Sequence, residues 1–385
     1  MNATGIVAEY NPFHNGHALH INKTKEKLGQ PVIVVMSGSF VQRGEPAFLD
    51  KWTRAKLAAS GGANLVLELP TVFSLRSAEF FARGSVELLA ATGLVNVISC
   101  GAEHPENNFN LLAQKYLEEN TQKEIKKYLD EGLSYAVACE KALGSELSAP
   151  NDILAFEYAK ACLKSGLKLH TFQREGSGYN EQTLGALASA TAIRKAFDEG
   201  KLSELSECLP SYAFASLETN GAGYSKNKLW SLIQYALVHN TTQEIAELSE
   251  CSEGLENLLK SAEAACSLEE ALQICTNKRY STSRIRRLFM QLLFDKSVEI
   301  FKQEHPAYIR VLAFDDVGRE LLKEMKQSAT LPIINKLGQH PEHDQSREFT
   351  QSIFLDVLAT NLRELVGNAD AQLNRDFTTS PFYKK

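Results

Sequence analysis

Nowhere in its 385 residues does the chain hold a run approaching the about 20 uninterrupted apolar residues that span a bilayer, which removes a membrane-spanning helix. The basic, apolar and small-residue sections of an export signal are missing from the first residues, so the expected location is cytoplasmic. Cysteine is sparse and unpaired in pattern: Cys100, Cys139, Cys162, Cys208, Cys251, Cys266 and Cys275 are odd in number and never form CxxC. That argues against a disulfide framework or a zinc site and for reduced thiols. Positive charge is not in excess either. A formal net charge of −6 argues against indiscriminate nucleic-acid binding and confines any RNA site to a local patch. What is present is enough apolar material, 44% of residues, for two cores.

The first half alternates strand and helix signals. Ile6 to Ala8 is a β-branched, apolar run without alternation, as in a strand buried on both faces. Pro31 to Met36, Ala63 to Pro70 and Val95 to Cys100 repeat that signature. Helical patterns at His17 to Leu28, Thr53 to Ala59 and Ala78 to Ala91 lie between them, which predicts βαβ units and a parallel sheet. Phe109 to Ala142 is rich in helix formers and predicts a lid or an inserted helical pair. Pro150-Asn151-Asp152 opens a helix from Ile153 to Lys164, with Asn151 or Asp152 as its cap. Leu167 to Phe172 alternates like a strand, and Ser189 caps a helix from Ala190 to Phe197.

Ligands of open parallel sheets bind beyond the carboxyl ends of the strands. His14-Asn15-Gly16-His17 falls at such an end, where a strand hands over to a helix and the free N–H groups of the first turn favour an anion. Histidines three residues apart can both face that anion, and Gly16 would let a nucleotide lie close to the backbone. Two ordinary turn histidines would read the same way. Ser189 and Thr191 fit a phosphate grip or simple N-capping, and Arg194 a phosphate contact or a surface ion pair. Gly101 and Asn151 fit ligand contacts or an ordinary turn and cap, and Arg174-Glu175 a nucleotide contact or a surface pair. Ser37, Gln42, Arg43, Lys51 and Arg54 follow the second strand and could receive a small acid or RNA, or be a solvated loop.

His14-Asn15-Gly16-His17 resembles the HxGH signature of the adenylyltransferase superfamily. With Glu9 to Phe13 before it, Met36-Ser37-Gly38-Ser39-Phe40-Val41-Gln42-Arg43-Gly44-Glu45-Pro46 after it, and Ser189-Ala190-Thr191-Ala192-Ile193-Arg194 further on, the chain is similar to the bacterial tRNA(Met) cytidine acetate ligase family throughout. The resemblance implies an α/β fold: a Rossmann-like parallel sheet of the HxGH nucleotidyltransferase type, followed by a mostly helical C-terminal domain. It implies ATP bound by Val7, Ala8, Glu9, Tyr10, Asn11, Pro12, Phe13, His14, Asn15, Gly16, His17, Ala18, Leu19, His20, Gly101, Asn151, Arg174, Ser189, Thr191 and Arg194. His14, His17 and Arg194 would be catalytic. Ala192 stands where many relatives carry another hydroxyl, which shifts that grip toward Thr191 and the backbone. The implied reaction activates acetate as acetyl-adenylate and passes the acetyl group to N4 of the wobble cytidine of elongator tRNA(Met). Mg²⁺ is expected with the pyrophosphate leaving group, its ligands unknown.

The domain boundary is expected near Gly200 to Pro210, giving a catalytic domain over 1–205 and a tRNA-binding domain over 206–385. From Asn227 the chain reads as mostly helical, and Thr276 to Arg310 carries eight basic residues against three acidic. Lys278, Arg279, Arg284, Arg286 and Arg287 are the candidate RNA contacts, although a capped helix with a solvated basic side fits them equally well. Tyr280-Ser281-Thr282-Ser283-Arg284-Ile285-Arg286-Arg287 also echoes Ser189 to Arg194. Two competing functions remain open on the residues. One is a nucleotidyltransferase acting on a small phosphorylated acceptor, the other a non-catalytic RNA-binding protein.

Overall fold

The computed structural model describes residues 1–144, 147, 149–175, 184–219, 222–252, 254–294, 300–339 and 346–385. The Gly-, Ser- and Asn-rich stretch from Gly176 and the charges Asp295, Lys296 and Glu299 lie outside the described residues.

The apolar runs form strands because their side chains go mostly into the core, completely so in Val32–Ser37 and Leu65–Leu69. In chain order the strands are β1 (Ala3–Ala8), β2 (Val32–Ser37), β3 (Phe40–Val41), β4 (Glu45–Pro46), β5 (Leu65–Leu69), β6 (Val95–Ala102), β7 (Lys168–Gln173), β8 (Ile309–Phe314), β9 (Ile333–Ile334) and β10 (Phe382–Tyr383). Val32, Val34 and Met36 enter one apolar cluster while Ile33 and Val35 enter another, so β2 is covered on both faces. The sheet order is β10-β8-β5-β2-β1-β6-β7, with β9 beside β8. From β5 to β7 all pairs are parallel. The chain moves outward from β1 through β2 to β5 and then returns to β6 and β7 on the other side. That reversal of direction opens a crevice at the carboxyl ends of β1 and β6.

Three expectations change. The first concerns the boundary near Gly200 to Pro210. β8, β9 and β10 come from beyond it, with β8 pairing antiparallel to β5. One apolar cluster also runs from Ile33 and Leu67 into Leu229, Leu259, Leu272 and Leu288 of the helical half. A division at 205/206 therefore cuts through a shared sheet and a shared core. The second concerns Phe109 to Ala142, which folds as three helices, Phe109–Tyr116, Glu119–Asp130 and Tyr135–Leu143. Their apolar faces join the cluster of Ala155 and Phe156 on the helix Pro150–Ser165, which makes them outer packing rather than a lid.

The third concerns Lys51 and Arg54, both fully buried on the helix Lys51–Ser60. Lys51 Nζ lies 2.7 Å from both Glu68 Oε1 and Asp376 Oδ1, and Arg310 joins the same two carboxylates. This closed ionic group fastens β5 to β8 and to the last residues of the chain. Arg54 donates to the carbonyls of Glu9 (2.7 Å), Ser37 (3.0 Å), Leu49 (3.0 Å) and Gly38, binding the ends of β1 and β2 together. Both side chains are enclosed by these partners, with no exposed surface left for a small acid or RNA.

Candidate active site

The HxGH turn is built by its own histidines. His14 is the N-cap of the helix Asn15–Leu28, and its Nδ1 accepts from the Gly16 N–H at 3.1 Å. His17 Nδ1 in return accepts from the His14 N–H at 3.2 Å. The pair performs the reciprocal capping that a Ser and a Glu usually perform. With each Nδ1 committed as an acceptor, we assign the proton of each neutral ring to Nε2. Gly16 serves this geometry, since a Cβ there would sit 2.9 Å from His14 Cε1, and it also lines the crevice. Gly29, at φ +63°, ends the helix.

The rings stack with centroids 3.7 Å apart, and Tyr10 meets His17 edge-on at 4.8 Å. Burial, helped by nearby Arg174, pushes His14 down to about 3. Burial also drives His17 well below its ordinary value, with His14, Arg174 and His20 adding to the effect. His20, whose Nε2 lies 2.9 Å from Ser99 Oγ, is lowered by burial to about 4. All three are therefore neutral at pH 7. His14 and His17 present fixed N–H donors to the crevice.

That crevice is a cavity of about 440 Å³ at the carboxyl ends of β1 and β6. Val7, Ala8, Glu9, Tyr10, Asn11, His14, Gly16, His17, Leu19 and His20 line it, together with Gly101, Asn151, Arg174, Ser189, Thr191 and Arg194. Of the expected ATP-site residues, Pro12, Phe13, Asn15 and Ala18 do not line it. Phe13 is fully buried beneath His17, and Ala18 packs on the apolar cluster behind the turn. Asn15 Nδ2 donates to the carbonyls of Ala186 (3.0 Å) and Glu207 (2.9 Å), which pins the turn to the chain flanking the helix Ala190–Asp198. Gly101 lies inside β6 rather than after it, and an added Cβ there would meet only Arg174 Cβ, at 4.0 Å.

The remaining elements bring charge to the same place. Ser189 caps the helix Ala190–Asp198, its Oγ accepting from the Ala192 N–H at 3.2 Å. Arg194 Nη1 donates to the Asn11 carbonyl at 2.7 Å, while its Nη2 lies 3.9 Å from Glu45 Oε2. Asn151 and Asp152 do not cap their helix, which starts at Pro150. The Glu103 carboxylate caps it, accepting from the N–H groups of Asn151 (3.0 Å) and Asp152 (3.1 Å) and from Asn151 Nδ2 (2.5 Å). Asp152 Oδ1 answers by accepting from the N–H groups of Glu103 (2.9 Å) and His104 (3.1 Å).

Sequence reading left Phe81, Tyr158 and Ser283 out of this cavity, yet they line it, as do Gln42, Arg43 and Lys23. Ser283 was legible through its motif echo. Phe81 and Tyr158 carry no signal beyond helical periodicity.

The proposed RNA contacts divide. Lys278 and Arg279 are exposed. Arg284 Nη2 donates to the Glu250 carbonyl (2.7 Å) and to Ser252 Oγ (3.1 Å), and Arg286 pairs with Glu45. Arg287 is buried, its Nε 3.5 Å from Glu250 Oε2, and so offers no surface to RNA.

Such a site can hold a triphosphate. Neutral N–H donors and a helix N-terminus lie on one side, the guanidiniums of Arg43, Arg174 and Arg194 around it, and apolar walls beside them. Residues 1–376 match the family model described as HIGH Nucleotidyl Transferase. A tRNA(Met) cytidine acetate ligase of Clostridium perfringens is 38% identical over 408 residues, covering 99% of each protein. One from Leuconostoc citreum is 35% identical over 396 residues, covering 100% of this chain and 98% of the relative. The crystal structure of apo Thermotoga maritima TmcAL is similar at a TM-score of 0.92 and 32% identity, covering 100% of this chain and 99% of that one. The same protein bound with alpha-thio ATP gives a TM-score of 0.90. Matched in sequence and fold over nearly its whole length, the chain belongs to the tRNA(Met) cytidine acetate ligase family of the HIGH nucleotidyltransferases.

Proposed function

We infer that this chain is an ATP-dependent ligase that joins acetate to N4 of the wobble cytidine of elongator tRNA(Met). The observation that carries the reading is the convergence of His14, His17, Arg174, Thr191 and Arg194 on one crevice at the reversal point of a parallel sheet. Acetate is already ionised at neutral pH, so its attack on the α-phosphorus needs no base. What the step needs is alignment and relief of the charge that builds on the phosphoryl oxygens. The Nε2–H groups of His14 and His17 supply donors that stay neutral and fixed. As the bond to pyrophosphate breaks, the N-terminus of the helix Ala190–Asp198, with Ser189, Thr191 and Arg194, receives the departing charge.

Among the described residues no three His, Cys, Asp or Glu side chains converge to hold a metal ion. We therefore assign Mg²⁺ to the nucleotide as its counterion and route no step through protein ligands. For the tRNA we assign the face of residues 206–385 around Lys278, Arg279 and Arg284. No helix among the described residues is long and apolar enough to cross a membrane, and the described cysteines are free. We place the protein in the cytoplasm because its tRNA substrate is there.

ATP–pyrophosphate exchange with a panel of acids tests the reading. Acetate-dependent exchange, followed by AMP release on adding tRNA(Met), is the expected result. Exchange only with a phosphorylated acceptor would make the chain a plain nucleotidyltransferase, and no exchange with any partner would make it a binding protein.

A further inference from the structure

The two half-reactions differ in their proton balance. Adenylate formation releases none, because a carboxylate is the nucleophile. Acetyl transfer must remove one, because the attacking nitrogen begins as an NH₂ group and ends as an amide N–H. The exocyclic amine of cytosine is a poor nucleophile and gains from a base within hydrogen-bond reach. The crevice must therefore hold an acceptor that the first step does not use.

Few groups qualify. His14 and His17 have their Nδ1 atoms committed to backbone N–H groups and offer only donors. His20 is engaged with Ser99, and Glu175, the other carboxylate of the lining, is paired with Lys23 and half exposed to water. Arg43, Arg174 and Arg194 are donors without acceptor capacity. Glu9 differs. It follows β1 directly, lines the crevice, and holds its carboxylate in place through Oε1, which accepts from the Gln42 N–H at 2.8 Å. Its carbonyl is gripped by buried Arg54 at 2.7 Å, so backbone and side chain are both anchored. Phe81 and Tyr158 also line the crevice and supply walls suited to a planar ring. Burial holds the Glu9 carboxyl above its usual range, against the opposing pull of the Gln42 N–H, Arg43 and Arg194. That direction makes it a stronger base than a solvated glutamate.

We propose that Glu9 is the residue that receives the cytidine N4 amine and takes its proton during acetyl transfer. A carboxylate accepting from cytosine N4 is also the pairing that tells this base from uracil. The step is balanced. N4 bonds to the acetyl carbonyl carbon, its proton passes to the Glu9 carboxylate, the bond from that carbon to the phosphate oxygen breaks, and AMP departs. The proton then leaves to solvent. This assignment rests on the ligase reading and adds the second half-reaction's proton acceptor to it.

The test isolates that half. Wild-type protein and Glu9→Gln receive prepared acetyl-adenylate and tRNA(Met), without ATP or acetate, and N4-acetylcytidine is read in single turnover from pH 4 to 8.5. The wild-type rate should rise with pH and level off as the carboxyl ionises. Glu9→Gln should be slower by about 100-fold and lose that inflection. Glu9→Asp should be slower than wild type yet keep it. Transfer by Glu9→Gln at the wild-type rate, or with the wild-type pH profile, overturns the proposal. If Glu9→Gln does not fold, loss of the inflection in Glu9→Asp does the same. Failure of the wild-type protein to make any N4-acetylcytidine refutes the ligase reading itself, and the role of Glu9 with it.

Discussion

Two helices of this protein begin with the same local sentence and use it differently. Ser189-Ala190-Thr191-Ala192-Ile193-Arg194 and Ser281-Thr282-Ser283-Arg284-Ile285-Arg286 align residue for residue. Each opens with a serine whose Oγ accepts from the N–H three residues on, at 3.2 Å and 3.4 Å, and each buries its isoleucine completely. Thr191 and Ser283 line the same crevice. The arginines then meet on one carboxylate, since Arg194 and Arg286 lie on the two oxygens of Glu45. What separates the helices is their surroundings. Arg194 also holds the Asn11 carbonyl at the crevice wall, whereas the second helix adds Arg287, which turns inward to Glu250. Identical capping and periodicity build the same helix end. Neighbouring carboxylates decide whether its charge is left for a ligand or used to close the fold.

The largest expected effect breaks the comparison on stability. Arg287→Ala should lower unfolding free energy in urea by about 3 kcal/mol, because it leaves the Glu250 carboxylate without its buried partner. Arg194→Ala, at the crevice wall, should cost under about 1 kcal/mol. Equal losses would mean that both arginines are structural.

Next comes activity. Arg194→Ala should reduce acetate-dependent ATP–pyrophosphate exchange by about 100-fold, on the scale of losing one preorganised donor to developing charge. Arg286→Ala removes a Glu45 partner away from the phosphates and should cost only a few-fold. Comparable losses in the two variants would show the second helix gripping the triphosphate as well.

Much of this was legible in the residues, for physical reasons. Buried parallel strands need continuous apolar runs, and the HxGH turn must lie where β1 meets its helix, so sheet and histidines could be read together. The caps at Ser189 and Ser281 follow from side-chain oxygens acting within three residues. What could not be read depended on partners far along the chain. Glu103 caps a helix 47 residues away at Pro150, Lys51 meets Asp376, and β8 returns from the helical half to pair with β5. The same blindness applied to Arg286 and Arg287. A cluster of arginines looks like an RNA face until the positions of Glu45 and Glu250 are known.

Acid distinguishes the two regions more gently. Neutral histidines, His14 buried and His17 and His20 half-buried, belong to the HxGH side, while the second helix relies on arginine–carboxylate pairs. Unfolded histidine titrates near 6.5, folded His14 at about 3 and folded His20 at about 4. Above pH 6.5 these rings are neutral in both states and contribute nothing to the pH dependence. As pH falls below 6.5 the unfolded chain takes up protons that the folded chain refuses, so stability drops by up to about 1.4 kcal/mol per pH unit for each ring. His20→Gln should flatten that decline between pH 6.5 and 4.5 in urea unfolding. An unchanged slope would show that His20 is not held neutral.

The smallest effect probes the part of the basic segment that the fold leaves outside. Lys278 and Arg279 precede the second helix and are exposed, so replacing either with Ala should leave stability and acetyl-adenylate formation unaltered. If they contact tRNA phosphates, each replacement should weaken tRNA binding several-fold and reduce the slope of log affinity against log salt by about 1. The salt slope is the sharper measurement because a general loosening of the fold would not change the number of counterions released. Unchanged slopes in both variants would move the RNA face elsewhere and leave the segment from Ser281 to Arg287 with one role, closing the molecule around Glu45 and Glu250.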